Sequence, residues 1–510
     1  MTSQVTTRPV ENRAPTRSWW RRHWPEATVV IAVLVVLAAT SNAYGYHRDE
    51  LYFLACGKHL AWGYPDQPPL TPLLAVLGDA ISPGSLWAFR LPATIVSAAS
   101  VVFVILIAAE MGASRRARVI AALTMATSAV VLMAGHLLMT NTTDFFFAAL
   151  MSWLLAMYIR TRTAWLLLLI GVVLGIGLLN KTLLALLALA FVIGLLVAGP
   201  RSALRSKWLL AGALAALVIV APNLIWQATN GFPQLDMANA IQGRVVAGGR
   251  IGIIPFQLVL ISPFLVPIWI AGLVRLLRRD NTFQAFGVAY LALAVELLVV
   301  GGNGFYLAGA YPALMAAGAI ATDRWLTTGV RRRVLVGAFS GSAVLVGLAS
   351  LPIVPATALA DVPLVRYLDF GGTREQLGWP ELTSQVAAVY DGLSADDRAR
   401  AVIVTRNYGE AGALDRFGPE YGLPKAYSGH NAYAGWGRPP EGADVVIVLG
   451  SQRDGRPLDW VQANCVSTSI VGYTGNTTGI KNAEQDRPIW LCRGLNHSWG
   501  EIWPTLTWLG

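Results

Sequence analysis

The chain has 510 residues, 55% of them hydrophobic and only 13% charged, with a mean hydropathy of +0.52. A water-soluble domain carries about 25% charged residues, so disordered, collagen-like and disulfide-scaffold chains are excluded, a soluble enzyme is disfavoured, and a polytopic membrane protein is indicated. The net charge of +10 is unevenly placed: residues 1–352 hold 26 Lys/Arg against 12 Asp/Glu, whereas residues 353–510 hold 13 against 17.

Residues 1–26 form a basic tail. Apolar runs long enough to cross a bilayer, which takes about 20 residues each, follow near 27–45, 91–111, 119–139, 145–159, 164–180, 182–198, 209–227, 252–274, 283–300, 304–322 and 335–352. The Arg/apolar start resembles a signal peptide in outline but is taken as a retained first span. Alternate connections carry the basic residues. Arg8 to Arg22, Arg115-Arg116-Arg118, Arg160/Arg162, Arg201/Arg205/Lys207, Arg275/Arg278/Arg279 and Arg324 with Arg331–Arg333 make 20, against Arg48, Lys58, Arg90, Lys181, Arg244 and Arg250 on the other side. The positive-inside rule makes the first set cytoplasmic. The basic excess is then a topology signal, and no nucleic-acid partner is expected. The predicted architecture is an α-helical polytopic membrane protein of about eleven transmembrane helices over 27–352, in the plasma membrane with a cytoplasmic N-terminus. An extracytoplasmic α/β domain occupies 353–510. Within it Ala401–Thr405, Asp444–Gly450 and Ile489–Cys492 read as strands, and Pro380–Leu393 and Asn407–Phe417 as helices.

Six of the twelve acids of the membrane part fall on the outer side: Asp49, Glu50, Asp66, Asp79, Asp144 and Asp236. A carboxylate in lipid costs roughly 3 kcal/mol on insertion scales, so acids at membrane level face protein or water and are commonly functional. Asp49-Glu50 follows the first span and opens a long outer loop, 46–90. An ionised carboxylate there can take a proton from an attacking hydroxyl; the alternative is a solvated turn. Residues 51–63 suit an amphipathic helix lying at the interface, ended by Gln67-Pro68-Pro69. Asp144 serves equally well as an active-site acid or as a helix N-cap. Lys181 either snorkels or binds an anion, and Arg244 and Arg250 in the 228–251 loop are two further anion ligands or two exposed charges. Glu296 is expected to pack against a neighbour's polar group.

The run Tyr46-His47-Arg48-Asp49-Glu50-Leu51-Tyr52 to Trp62-Gly63-Tyr64-Pro65-Asp66-Gln67-Pro68-Pro69-Leu70 resembles the first outer loop of glycosyltransferase family 39-like proteins, the group related to protein O-mannosyltransferases and lipid A aminoarabinose transferases. Thr140–Asp144, Gly175–Lys181, Pro222–Gln227 with Asn230–Pro233, and Tyr306 to Tyr311-Pro312 are similar too. In the tail, Asn407–Ala411 and Ser428–Asn431 resemble the outer domain of actinobacterial members. The resemblance implies a GT-C fold that moves a sugar from a polyprenyl-phosphate donor to an acceptor glycan, lipid or protein at the outer face of the bilayer. Asp49 would be the general base, Glu50 would orient the acceptor or the loop, and Asp144 would be a second active-site acid. Lys181 would bind the donor phosphate. His47, Tyr52, Asp66, Gln67 and Tyr306 are further substrate-binding candidates. Where relatives often place a basic residue before Tyr306, this chain has Gly302-Asn303-Gly304-Phe305, so that either Arg244 or Arg250 takes over phosphate binding or the donor differs. No cofactor is expected, although a divalent cation on Asp49, Asp66 and Asp144 is compatible with oxygen-ligand chemistry. The tail motif leaves His430 and Asn431 either touching an acceptor or, for His430, as a satisfied surface residue. Cys465 and Cys492 either pair or stay free, and Cys56 is a small packed side chain on the interfacial helix.

A polytopic transporter or lipid flippase is the alternative. It calls for inverted repeats and mid-membrane ionisable residues, and neither is evident in the sequence.

Overall fold

A computed structural model describes residues 19–242, 252–301, 303–362, 372–450 and 456–510. The N-terminal part is a helical bundle. It comprises α1 (Trp19–Thr40), α2 (Arg48–Lys58), α3 (Leu70–Ile81), α4 (Leu86–Glu110), α5 (Arg115–Ala126), α6 (Ala129–Gly135), α7 (Thr140–Thr161), α8 (Leu166–Leu178) and α9 (Leu184–Ala198). Then follow α10 (Lys207–Thr229), α11 (Pro233–Gln242), α12 (Ile253–Ile261), α13 (Val266–Leu277), α14 (Gln284–Val300), α15 (Tyr311–Trp325) and α16 (Gly329–Ser350).

Each expected span contains an apolar helix or a broken pair. Among the described residues, five segments are long and apolar enough to cross a membrane, seven if each bent pair counts once. The expected straight span at 252–274 does not form: α12 and α13 meet at 116°. Ser262 takes φ +84 and Pro263 has no N–H to continue the ladder. The 119–139 segment is bent by 51° between α5 and α6, where the Thr127 and Ser128 hydroxyls bond back to Leu123 and Met125 carbonyls. Burial separates centre from rim. The apolar window of the segment ending in α15 is 78% buried and that of α10 only 22%, which leaves Leu210, Leu214 and Val218 exposed as a lipid-facing stripe would be. α10 lies hard against α8, because a Cβ on Gly171 would fall 2.1 Å from the Gly212 carbonyl oxygen.

The C-terminal part adds α17 (Trp379–Asp391), α18 (Ala395–Arg400), β1 (Ala401–Thr405), α19 (Tyr408–Phe417), β2 (Ala426–Ser428), β3 (Val445–Leu449), α20 (Arg456–Asn464), β4 (Cys465–Tyr473), β5 (Pro488–Leu495) and α21 (Trp499–Leu506). The strands form one sheet in the order β2-β1-β3-β5-β4. β1 is parallel to β2 and β3, while β5 runs antiparallel to β3 and β4. Every residue of β1 and β3 is buried, so both are continuous Val/Ile-rich runs, as strands covered on two faces must be. Ile403 and Ile447 face α17 and α19, whereas Val402, Val446 and Val448 pack with Trp499 and Ile502 of α21. A disulfide joins Cys465 to Cys492, and Cys56 is buried and free.

The expected interfacial helix at 51–63 is instead α2, which ends at Lys58 and buries Leu51, Tyr52, Phe53, Ala55 and Cys56. It packs against α3 and α19. Gly412 makes this fit possible, since a Cβ there would meet the Leu51 backbone at 3.0 Å. One apolar core therefore runs from the sheet through α19 and α2 to Phe89 of α4. Each large side chain fully buried in it contributes about 1.5–3 kcal/mol, and this fixes the C-terminal domain over the 46–90 loop.

Candidate active site

The site begins with a capping box. The His47 main-chain N–H donates to Glu50 Oε2 at 2.8 Å, and His47 Nδ1 accepts from the Asp49 N–H at 3.1 Å. This starts α2 at a fixed angle and places Asp49 and Glu50 on different sides of its first turn. Glu50 turns inward. Its carboxylate, 0% exposed, takes two bonds from Arg90, Nε at 2.9 Å and Nη2 at 2.6 Å, and a third from the Leu138 N–H at 2.8 Å. Arg90 also donates to the carbonyls of Ser41 and Gly45. These bonds tie the start of α2 to α4 and to Leu138, so Glu50 holds the loop, one of the two roles expected of it.

Asp49 stays half-exposed. Tyr408 of α19 donates to its Oδ1 at 2.7 Å, Arg48 Nε lies 3.6 Å away and His47 Nδ1 4.0 Å. Burial alone would raise the Asp49 pKa, but His47, Arg48 and the Tyr408 hydroxyl outweigh it and hold the carboxyl below the usual range. It is therefore ionised at neutral pH.

Beside His47 lies a cavity of about 150 Å³, whose lining includes His47, Asn141, Asp144, Tyr306 and Gly372; Asp49 and Lys181 stand behind this wall, Asp49 against His47 and Lys181 against Asn141 and Tyr306. With its Nδ1 engaged by the Asp49 N–H, the His47 ring has only Nε2 left to bond a ligand (an assignment from the hydrogen-bond pattern). Asp144 Oδ1 is buried without a hydrogen-bond partner among the described residues. Asp144 sits in the second turn of α7 and is not its N-cap, which is Met139. Lys181 is aimed by its surroundings. Asn180, fully buried, accepts from Thr71 at 2.7 Å and donates to the Thr140 carbonyl at 2.8 Å, which locks the end of α8 to α7 and α3. Lys181 Nζ bonds Asn141 Oδ1 and lies 4.6 Å from the centre of the Tyr306 ring. Tyr306 is carried by the 3-10 turn Gly304–Ala310, which Gln257 pins through the Gly304 carbonyl at 3.1 Å while bonding Tyr311.

The remaining residues singled out from the sequence fall elsewhere. Tyr52 is 1% exposed; it donates to Asp66 at 2.7 Å and stacks on Tyr408 at 4.6 Å, behind the residue that bonds Asp49. Asp66 has its pKa raised to about 7 by burial, and Gln67 is buried; neither lines the cavity. Among the described residues no three His, Cys, Asp or Glu side chains converge as a metal site, so the Asp49–Asp66–Asp144 cation set does not form. Arg244 and Arg250 lie outside the described residues. Glu296 has neither oxygen paired among the described residues, contrary to the expected polar neighbour. His430 is 3% exposed, stacked between Tyr408 and Trp508, and is not a surface residue; Asn431 is buried too. Sequence reading missed the roles of Tyr408, Asn141 and Arg90. Of these only Arg90 carried a signal, as a lone cation in an apolar helix that required a partner.

Residues 66–226 match the family of dolichyl-phosphate-mannose-protein mannosyltransferases, a stretch that holds Asp144 and Lys181. ArnT from Cupriavidus metallidurans, solved with undecaprenyl phosphate, superposes with a TM-score of 0.62 over 92% of this chain and 98% of its own, at 15% identity. The arabinofuranosyltransferase AftD from Mycobacteria gives a TM-score of 0.53 at 15% identity, covering 93% of this chain and 40% of AftD. No curated protein sequence matches the chain. The fold is the GT-C fold: a polytopic helical membrane domain with a small C-terminal α/β domain. The family match takes in 161 of the 510 residues, and the structural likeness, at 15% identity, is one of fold.

Proposed function

We propose that the chain transfers a glycosyl unit from a polyprenyl-phosphate donor to an acceptor hydroxyl of a cell-envelope glycan, lipid or protein, with inversion, on the extracytoplasmic face. The observation that carries this reading is a cavity lined by His47, Asp144, Asn141 and Tyr306, with the ionised Asp49 carboxylate against His47 and the Lys181 ammonium against Asn141 and Tyr306. The acceptor oxygen attacks C1 of the sugar, the C1–O bond to phosphate breaks, the hydroxyl proton passes to Asp49, and polyprenyl phosphate leaves. Lys181 neutralises the charge that develops on the leaving phosphate, commonly the largest catalytic term, and Asp49 as base adds a factor of about 10²–10⁴. Undecaprenyl phosphate bound to the ArnT neighbour supports the donor class. A Cys465–Cys492 disulfide is in keeping with a C-terminal domain outside the cytoplasm. The test is Asp49→Asn in proteoliposomes with a radiolabelled lipid-linked sugar. Transfer should vanish while the melting temperature holds, and full turnover by the folded variant would refute the assignment.

A further inference from the structure

The C-terminal domain holds a second cavity, separate from the one beside His47. About 90 Å³ in volume, it opens beyond the carboxyl ends of β1 and β3, with Arg406, Leu449, Trp460, Thr505, Thr507 and Trp508 around it. β1 and β3 are parallel neighbours, but the chain leaves them in opposite directions. β1 leads through α19 to β2 on one flank, and β3 leads through α20 to β4 on the other. Open α/β sheets bind ligands in the crevice at such a switch point.

The walls define the ligand. Trp460 supplies an indole, and Trp508 is layered between His430, stacked on it at 3.6 Å, and the Arg406 guanidinium, which lies over its ring at 4.7 Å. Trp460 Nε1 is a buried donor with no partner among the described residues. Thr505 and Thr507 give their hydroxyl protons to the Ile502 and Pro504 carbonyls at 2.7 and 2.9 Å, so their oxygens keep lone pairs for an incoming donor. A phosphate has no vacancy at the nearby start of α19. There Asn407 accepts from the N–H groups of Gly409 and Glu410, and Glu410 Oε2 accepts from those of Arg406 and Asn407 at 2.9 and 3.2 Å. An acidic side chain already sits where an anion would bind. The Trp460 indole with its spare donor, set opposite hydroxyl acceptors, suits a neutral polyol with C–H faces. Since a single water needs about 10–15 Å³, the space takes roughly six to nine water-sized groups, the scale of one sugar ring.

We propose that this cavity is a carbohydrate subsite that holds one neutral sugar ring of a glycan acceptor. Its role in acceptor binding rests on the transferase reading above. Tyr408, two residues beyond Arg406 on the same β1–α19 turn, is the residue that bonds Asp49, so a glycan anchored here is held by the element that sets the base. The test uses the full-length protein in nanodiscs and a panel of neutral methyl hexopyranosides and pentofuranosides, read by saturation-transfer NMR. At least one glycoside should bind saturably. Trp460→Ala should weaken it about tenfold or more, and Trp460→Phe and Thr505→Val, which preserve packing, should each weaken it less. Lys181→Ala and Asp49→Asn should leave it unchanged, and inorganic phosphate should not compete. Absence of binding by every glycoside, binding that survives all three cavity variants, loss on Lys181→Ala, or displacement by phosphate each overturns the subsite. Sugar binding without any transfer would sink the transferase reading alone, and transfer without sugar binding would sink the subsite alone.

Discussion

The Tyr408 hydroxyl, on the first turn of α19, donates a 2.7 Å hydrogen bond to Oδ1 of Asp49 on the first turn of α2, across 359 residues of sequence. A C-terminal residue thus sets the charge state of the proposed base. The bond favours the ionised form, so Tyr408→Phe removes one of the groups that hold the Asp49 pKa down, and that pKa must rise. The acid limb of kcat/KM should move to higher pH in Tyr408→Phe, with turnover at neutral pH falling by roughly tenfold or less. A pH–rate profile identical to wild type would show that Tyr408 does not act on Asp49.

The neighbouring acid has a different fate. Glu50 and Arg90 form a fully buried pair with every charged atom bonded to protein. Removing one member of such a pair strands the other and costs about 3–5 kcal/mol. Glu50→Ala and Arg90→Ala should therefore lose folded yield and melt well below wild type in detergent, unlike Asp49→Asn. Normal melting of Glu50→Ala together with lost transfer would return Glu50 to the chemistry.

These two acids show where sequence stops informing. Asp49-Glu50 reads as an adjacent carboxylate pair, and only the fold supplies Tyr408 to one and Arg90 to the other. The membrane helices were legible because apolar length is a local property. The bends at Ser262-Pro263 and Thr127-Ser128 were not, since one or two residues break an otherwise uniform run. β1 and β3 stood out as Val/Ile runs. β2, buried at Ala426 and Ser428, is only three residues long, too short to carry a readable pattern, and β4 is an exposed edge carrying Ser467, Thr468 and Ser469. The Asp144–Lys181 region was found by chemistry-bearing residues at segment ends. Asn141 and Tyr306, which aim Lys181, depend on three elements meeting.

Lys181 itself carries the third prediction. Its Nζ bonds Asn141 and lies over the Tyr306 ring, an arrangement that leaves a cation beside the cavity without neutralising it. Lys181→Met keeps the stem and deletes the charge. Binding of undecaprenyl phosphate, followed by fluorescence quenching, should weaken by roughly 10²-fold, while Tyr306→Leu should cost only the cation–π contribution of about 0.5–2 kcal/mol. Wild-type affinity in Lys181→Met would move phosphate recognition to another residue.

Stability should also respond to pH, through acids outside the membrane. Glu484 is 6% exposed, with Oε1 reached by Asn407 at 3.4 Å and Oε2 lacking a partner among the described residues. Burial, reinforced by the charges of Glu375 and Glu410, pushes its pKa above the usual carboxyl range against the pull of Arg48. Glu410 and Asp66 are each raised to about 7, mainly by burial. A group whose pKa is higher folded than unfolded binds its proton more tightly in the folded state. Its stabilisation is complete below the unfolded value, about 4–4.5, and is lost as pH rises through the folded one. Asp49 has the opposite sign, but its contribution fails only below the usual carboxyl range, outside this window. These acids favour a higher melting temperature at about pH 5 than at about pH 8, by on the order of a few degrees, against His59, whose imidazole burial holds below its usual value and which costs stability as pH falls through about 6.5. Glu484→Gln, which mimics the protonated acid, should raise the melting temperature at the alkaline end and flatten the slope. Scanning fluorimetry across that range decides it: a Glu484→Gln curve parallel to wild type would mean that Glu484 is ionised at no cost in the folded protein.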